Sequence, residues 1–272
     1  MPPVAQNDIF TTSDGASIAF TRRPAPSPGA PRMAFVHSLA LDRSVWDGVV
    51  QRLEGEAEVL TYDCRGHGRS DRRAGVYTAQ LFARDLAELF DHVGWQSAAV
   101  AGCSMGGNVA QAFAAVYPQR TTALGLIDTT AWYGADAPAK FKERADAAKA
   151  KGMNGLIDFQ LTRWFSDEFC ASHPDVLKRT TDIFIANDLD CYAASCGLLG
   201  DVDSRTHLGS FRMPVAIVVG EDDHATPVAM ARQLHDAIPR STLTLLPRAR
   251  HLTPIEYPDP IASELRGLLS RQ

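Results

Sequence analysis

No stretch of this 272-residue chain approaches the roughly 20 consecutive apolar residues that a membrane helix needs. The first eight residues, Met1-Pro2-Pro3-Val4-Ala5-Gln6-Asn7-Asp8, have neither a basic n-region nor an apolar h-region, so no signal peptide is expected. Cysteine is sparse. Cys64, Cys103, Cys170, Cys191 and Cys196 make five, an odd number, with no CxxC pair and no zinc spacing. That pattern excludes a disulfide scaffold or a cysteine metal site and predicts free thiols in a reducing compartment. Nor is there a surplus of positive charge. Lys and Arg total 27 against 32 Asp and Glu, mixed along the chain, for a net charge of −5. A nucleic-acid surface and a basic membrane patch are therefore not expected. No internal repeat or low-complexity tail is present. The remaining class is a soluble, cytoplasmic protein of one α/β domain with an insertion, or of two small domains.

What is present is an alternation of strand and helix signals. Ile9–Thr12 and Ala16–Phe20 flank Ser13-Asp14-Gly15 as a hairpin. The stretch 24–31, with four prolines, reads as a loop. Short apolar runs at 33–36, 58–62, 97–101, 123–127, 215–219 and 242–246 read as buried strands, with helical periodicity between most of them. Thr78 is placed to cap a helix bearing Phe82, Leu86, Leu89, Phe90 and Val93. Between 131 and 208 the strands stop. That segment reads as a helical cap with an apolar cluster of Leu156, Phe159, Leu161, Trp164 and Phe165 and a solvated basic run at 140–151. The core is thus divided into 1–130 and 209–272. Alternating strands and helices predict a mostly parallel central sheet with helices on both faces. Ligands bind such sheets at the carboxyl ends of the strands.

Gly102-Cys103-Ser104-Met105-Gly106-Gly107 joins a predicted strand to a predicted helix. A Gly-x-Ser-x-Gly turn in that context exposes a strained serine at a helix N-terminus, where free N–H groups favour negative charge. Side chains at Gly102 or Gly106 would collide with the neighbouring strand and helix. A serine nucleophile needs a base, and the base needs an orienting acid. Of eight histidines, His251 follows the last predicted strand and can reach back over the rim. His37 and His67 are rim residues expected to stabilise their own loops. The acid belongs to Gly220-Glu221-Asp222-Asp223. Asp223 is preferred, with Asp222 a close rival and Asp128, one strand earlier, another.

The order Ser104, Asp223, His251 resembles that of the α/β-hydrolase fold family, and within it the chain is most similar to the 3-oxoadipate enol-lactonases. The resemblance rests on Ser38-Leu39 with Asp42 and Trp46-Asp47, on Tyr62-Asp63 with Arg65-Gly66-His67-Gly68-Arg69-Ser70-Asp71, and on Ser104-Met105-Gly106-Gly107. Arg163-Trp164-Phe165, Gly220-Glu221-Asp222-Asp223 with Thr226-Pro227, and His251-Leu252 with Glu256 and Pro258 also match. His37 stands where these enzymes usually have Asn, Ala40 where Gly is common, and Trp132-Tyr133 where smaller residues are expected. The resemblance implies hydrolysis of a small-molecule ester or lactone through an acyl-enzyme on Ser104, with the Leu39 and Met105 N–H groups as oxyanion hole and no metal or organic cofactor. Ser38, Trp132, Arg163 and Trp164 are the expected substrate contacts. Arg163 faces either a substrate carboxylate or a salt bridge tying the cap to the core. Other classes on the same scaffold stay open: a general carboxylesterase, a C–C bond hydrolase, a cofactor-free oxygenase or perhydrolase, and a slow-turnover ligand sensor.

Overall fold

The computed structural model describes residues 6–24, 27–73 and 75–271. Residues 1–5, on which the leader expectation largely rests, and Ala25 and Pro26 of the proline-rich loop lie outside the described residues. Among the described residues eight strands form one sheet: Gln6–Thr11 (β1), Ser17–Arg23 (β2), Arg32–Val36 (β3), Glu58–Tyr62 (β4), Ala98–Cys103 (β5), Thr121–Ile127 (β6), Val215–Gly220 (β7) and Ser241–Leu246 (β8). Their order is β1-β2-β4-β3-β5-β6-β7-β8. β1 pairs with β2, and β2 with β4, antiparallel; the remaining pairings are parallel. β4, β5 and β7 are buried along their whole length, as strands covered on both faces must be. The continuous apolar runs of β5 and β7 follow from that double covering.

Local chemistry sets the helices that carry the sheet's upper edge. The Thr78 hydroxyl accepts the Leu81 N–H at 3.0 Å, capping Ala79–His92 as its position predicts. Met105–Val116 is buried on nearly every side, which its small residues permit (Gly106, Gly107, Ala110, Ala112 and Ala114). It packs against β3, β5, β6 and the Ala79–His92 helix. Gly107 is needed there, because a Cβ would lie 2.5 Å from the Thr129 side chain.

The helical insertion leaves after β6 and returns before β7. Its ends meet at one neck: the Ser204 N–H donates to Ala131 O at 2.9 Å, and Trp132 bridges Asp203, a one-residue exception to the strand-free stretch. Inside it Trp164, Phe184 and Tyr192 pack edge to face and are buried. Phe159 departs from expectation. It is 50 % exposed, because the buried face of helix Ile157–Trp164 is the one carrying Gln160 and Trp164. The Phe159 ring instead lies beneath the guanidinium groups of Arg144 and Arg163. No helix among the described residues is long and apolar enough to cross a membrane.

Candidate active site

β5 ends at Cys103, and the chain turns at Ser104 into helix Met105–Val116. Ser104 has φ 55 and ψ −118, a conformation L residues rarely take. The turn is held from all sides: the Ser104 N–H donates to Ile127 O at 2.9 Å, and Ser104 O accepts from Gly107 N at 2.9 Å and Thr129 Oγ1 at 2.8 Å. Both expected glycines are sterically required. A Cβ on Gly102 would lie 2.1 Å from Gly106 O, and one on Gly106 would lie 2.2 Å from Val36 O. The neighbouring Cys103 is buried, and burial pushes its thiol well above the usual range, which makes it a poor thiolate source.

Ser104 Oγ lies 2.9 Å from His251 Nε2, and His251 Nδ1 lies 2.8 Å from Asp223 Oδ2. Asp223 is buried, and its other bonds come from Ala225 N at 2.6 Å, Thr226 N at 2.9 Å and Thr226 Oγ1 at 2.8 Å. Burial works to raise its pKa, but His251 and the Thr226 donors outweigh it and hold the carboxyl at about 2. An ionised acid there favours a proton on Nδ1, which leaves Nε2 as an acceptor facing Ser104 Oγ. The two rivals sit elsewhere. Asp222 is exposed, and its backbone N–H donates to Ala249 O at 3.0 Å. Asp128 is buried and bonds Gly220 N, Thr253 N and Thr253 Oγ1, joining the loop that leads to Asp223 to the one that follows His251. Burial first, and then the Asp223 charge, pushes Asp128 upward.

The Met105 N–H opens a helix and so has no intrahelical acceptor. Leu39 sits in a Ser38–Leu41 turn closed by Leu41 N–H on Ser38 O at 3.3 Å. Among the described residues neither the Leu39 nor the Met105 N–H has a protein acceptor. Ser38 O also accepts from His37 Nδ1 at 2.7 Å, while His37 Nε2 accepts the Cys64 N–H at 2.8 Å. The carbonyl and N–H of one planar peptide point oppositely, so anchoring Ser38 O aims the Leu39 N–H. His37 thus stabilises its loop, as expected of a rim histidine.

Burial lowers His37 from 6.5 to about 4, and burial with the nearby His37 ring lowers His67 to about 3. Between pH 6.5 and 4 the unfolded chain therefore binds protons that the folded chain refuses, and stability falls as pH falls. The melting temperature is expected to drop across that window, and His37→Asn to make the decline shallower. An unchanged slope would assign the sensitivity to other groups.

Above Ser104 lies a cavity of about 670 Å³ walled by the core and the insertion. Ser38, Leu39, Arg163 and Trp164 line it with Ser104 and His251. Trp132 is not in its wall: that ring sits at the neck with the Arg205 guanidinium 3.7 Å above it. Tyr133 takes the place in the wall, its hydroxyl donating to Asn108 Oδ1 at 3.2 Å.

The ties between insertion and core near Arg163 are made by its neighbours and its backbone. Arg250 Nη1 donates to Phe165 O at 2.8 Å, Ser166 bonds Glu256, and Arg163 O and Trp164 O accept the N–H groups of His251 and Leu252 at 3.3 and 3.0 Å. The Arg163 side chain meets no carboxylate among the described residues; burial and the charge of Arg144 lower its pKa.

Arg144 is a cavity residue that sequence reasoning missed. Lys140 and Lys142 of the same helix pair with Asp136 and Asp146 in solvent, as expected, but Arg144 turns inward, bonding Tyr192 Oη at 2.6 Å. Its position on the stripe Ala137, Phe141, Ala145, Ala148 was the available signal. Gln160 was also missed. It lines the cavity, is 4 % exposed, and its Nε2 has no partner among the described residues. Among the described residues no group of three His, Cys, Asp or Glu side chains is arranged to hold a metal ion.

Residues 31–258 match the sequence profile of the alpha/beta hydrolase fold, and the chain belongs to that family. Within the family the chain is 28% identical over 271 residues to 3-oxoadipate enol-lactonase 2 of Acinetobacter baylyi, covering 100% of this chain and 99% of that one. The crystal structure of the enol-lactonase from Burkholderia xenovorans superposes with a TM-score of 0.92 at 29% identity, over 97% of this chain and all of its own. A thermophilic esterase from Thermogutta terrifontis, solved with malate bound, gives 0.90 at 28% identity over 97% and 98%. Sheet, insertion and loops are therefore shared along nearly the whole chain with enzymes of the esterase and lactonase type.

Proposed function

We propose that the protein is a serine hydrolase that opens an ester or lactone of a small molecule bearing a carboxylate. The observation that carries this reading is a Ser104–His251–Asp223 chain of hydrogen bonds opening on a cavity lined by two guanidinium groups that pair with no carboxylate among the described residues. Ser104 Oγ attacks the carbonyl as His251 Nε2 takes its proton, and Asp223 stabilises the imidazolium. The Leu39 and Met105 N–H groups receive the oxyanion, each worth roughly a hundredfold or more in rate. His251 returns the proton to the leaving oxygen, and water activated by His251 releases the acid. The insertion acts as a cap that closes the site from above.

A half-buried guanidinium with no carboxylate partner among the described residues favours an anion in the cavity, and the planar fork suits a carboxylate. Likeness to an enol-lactonase and to an esterase solved with malate, a dicarboxylate, supports the same class. A panel of lactones and short esters, each with and without a carboxylate, tests the reading. Hydrolysis confined to neutral substrates would remove the anion, and absence of hydrolysis across the panel would remove the hydrolase. Arg163→Met is expected to raise KM for an acidic lactone by roughly thirtyfold, about 2 kcal/mol, the lower end for a truncated charge pair because Arg144 remains. A neutral ester should be nearly unaffected. Equal losses on both substrates with a lowered melting temperature would assign Arg163 to cap packing.

A further inference from the structure

We propose that Asn187, at the elbow between helices Pro174–Ile185 and Leu189–Asp201, is a positioning residue for the oxyanion loop: the seating of the insertion on the core sets the aim of the Leu39 N–H. The inference rests on the reading of Ser104 as nucleophile. Asn187 Nδ2 reaches across from the insertion and donates to Ala40 O at 2.7 Å. The same amide is anchored in its own helix end by the carbonyls of Ile183 and Phe184, each at 3.0 Å. Three carbonyls around one atom require the nitrogen there, since the amide oxygen would meet acceptors only.

The residue it holds is strained. Ala40 has φ 56, in the left-handed region that favours glycine. It occupies the third position of the Ser38–Leu41 turn, where a positive φ is ordinarily met by glycine. The Ala40–Leu41 peptide is held at both ends, by Asn187 on Ala40 O and by Ser38 O on the Leu41 N–H. Ser38 O in turn belongs to the peptide whose N–H is that of Leu39. Release of Asn187 lets Ala40 relax toward negative φ, loosens the Leu41 N–H from Ser38 O, and leaves the aim of the Leu39 N–H to the His37 bond on Ser38 O alone.

The test uses full-length Asn187→Ala on a short neutral p-nitrophenyl ester, a substrate that does not engage Arg163. kcat is expected to fall about ten- to a hundredfold, less than outright loss of an oxyanion donor, with KM within about twofold. Affinity for an alkyl trifluoromethyl ketone, which forms a tetrahedral adduct on the serine, should fall by the same factor as kcat. Ala40→Gly added to Asn187→Ala should restore most of kcat, because glycine holds the positive φ without strain, while leaving any loss of melting temperature in place. An unchanged kcat, or a loss that Ala40→Gly does not restore, overturns the proposal. If Asn187→Ala does not accumulate as folded protein, Asn187→Ser, whose shorter side chain stops short of Ala40 O, carries the same comparisons. Fluorophosphonate labelling of the unaltered protein separates the two levels. An unlabelled Ser104 overturns the nucleophile reading, whereas a labelled Ser104 with full turnover in Asn187→Ala overturns the positioning role alone.

Discussion

Ser104→Ala is expected to abolish ester and lactone hydrolysis while leaving the melting temperature close to that of the parent. Only a hydroxyl is lost. The backbone bonds that hold the turn, from Ser104 N to Ile127 O and from Gly107 N and Thr129 Oγ1 to Ser104 O, do not involve the side chain. Without the nucleophile, the remaining N–H donors and the cavity still bind substrate and polarise its carbonyl. A residue of catalysis over water, about 10³–10⁴-fold, is the most that such a site retains. Mass spectrometry after an organophosphonate should find the adduct on Ser104. An adduct on Cys103, or turnover surviving in Ser104→Ala, would end the assignment.

The second large effect separates three acids. Asp223→Asn should lower kcat by about 10⁴-fold, the loss seen when the orienting acid of such a triad becomes an amide and the wrong histidine tautomer is favoured. KM should change little, since Asp223 lies behind His251 rather than in the cavity wall. Asp222→Asn should be nearly silent, because that side chain is exposed. Asp128→Asn should act mainly on stability. It replaces one of the acceptor oxygens on Thr253 or Gly220 by a donor in a fully buried place, a change that costs about 1–3 kcal/mol. Steady-state kinetics with thermal melting on the three variants gives the ranking. A crippling Asp128→Asn with a normal melting temperature would move the acid to the end of β6.

The residues proposed as nucleophile and base were legible in the sequence, Ser104 from its local pattern and His251 from its place after the last strand. Gly102 and Gly106 flank Ser104 for reasons of a few ångströms' clearance, and that requirement is written in the residues themselves. The order of strands and the Thr78 cap were legible for the same kind of reason. Between Asp222 and Asp223 the residues supported only a preference for Asp223, since adjacent acids on one turn differ only in which side chain faces inward. That direction is decided by a partner two loops away and by the donors of Thr226. The insertion was least legible. Its helices are short and amphipathic, and their rotation about their own axes decides whether a cation meets water or the cavity. Arg144 differs from Lys140 and Lys142 of the same helix only in that rotation, and Trp132 and Tyr133, adjacent in sequence, lie at the neck and in the cavity wall respectively. Asn187 has no local pattern at all; its role depends on a strained alanine 147 positions earlier.

Arg163 and Trp164 present their side chains to the cavity and their carbonyls to the N–H groups of His251 and Leu252. On the proposed reading, selectivity and proton transfer are thereby built on two facing strips of backbone, and the insertion is not an interchangeable module. A chimera that imports helix 157–164 from a relative alone would bring in a new specificity wall and, at the same stroke, shift the imidazole. The smallest portable unit is the pair of strips, 163–166 with 250–256, which Arg250 on Phe165 O and Glu256 on Ser166 already clasp together. On the same reading, specificity is easiest to retune at Phe141, Arg144 and Tyr133, cavity residues whose side chains make no hydrogen bond to the histidine loop among the described residues.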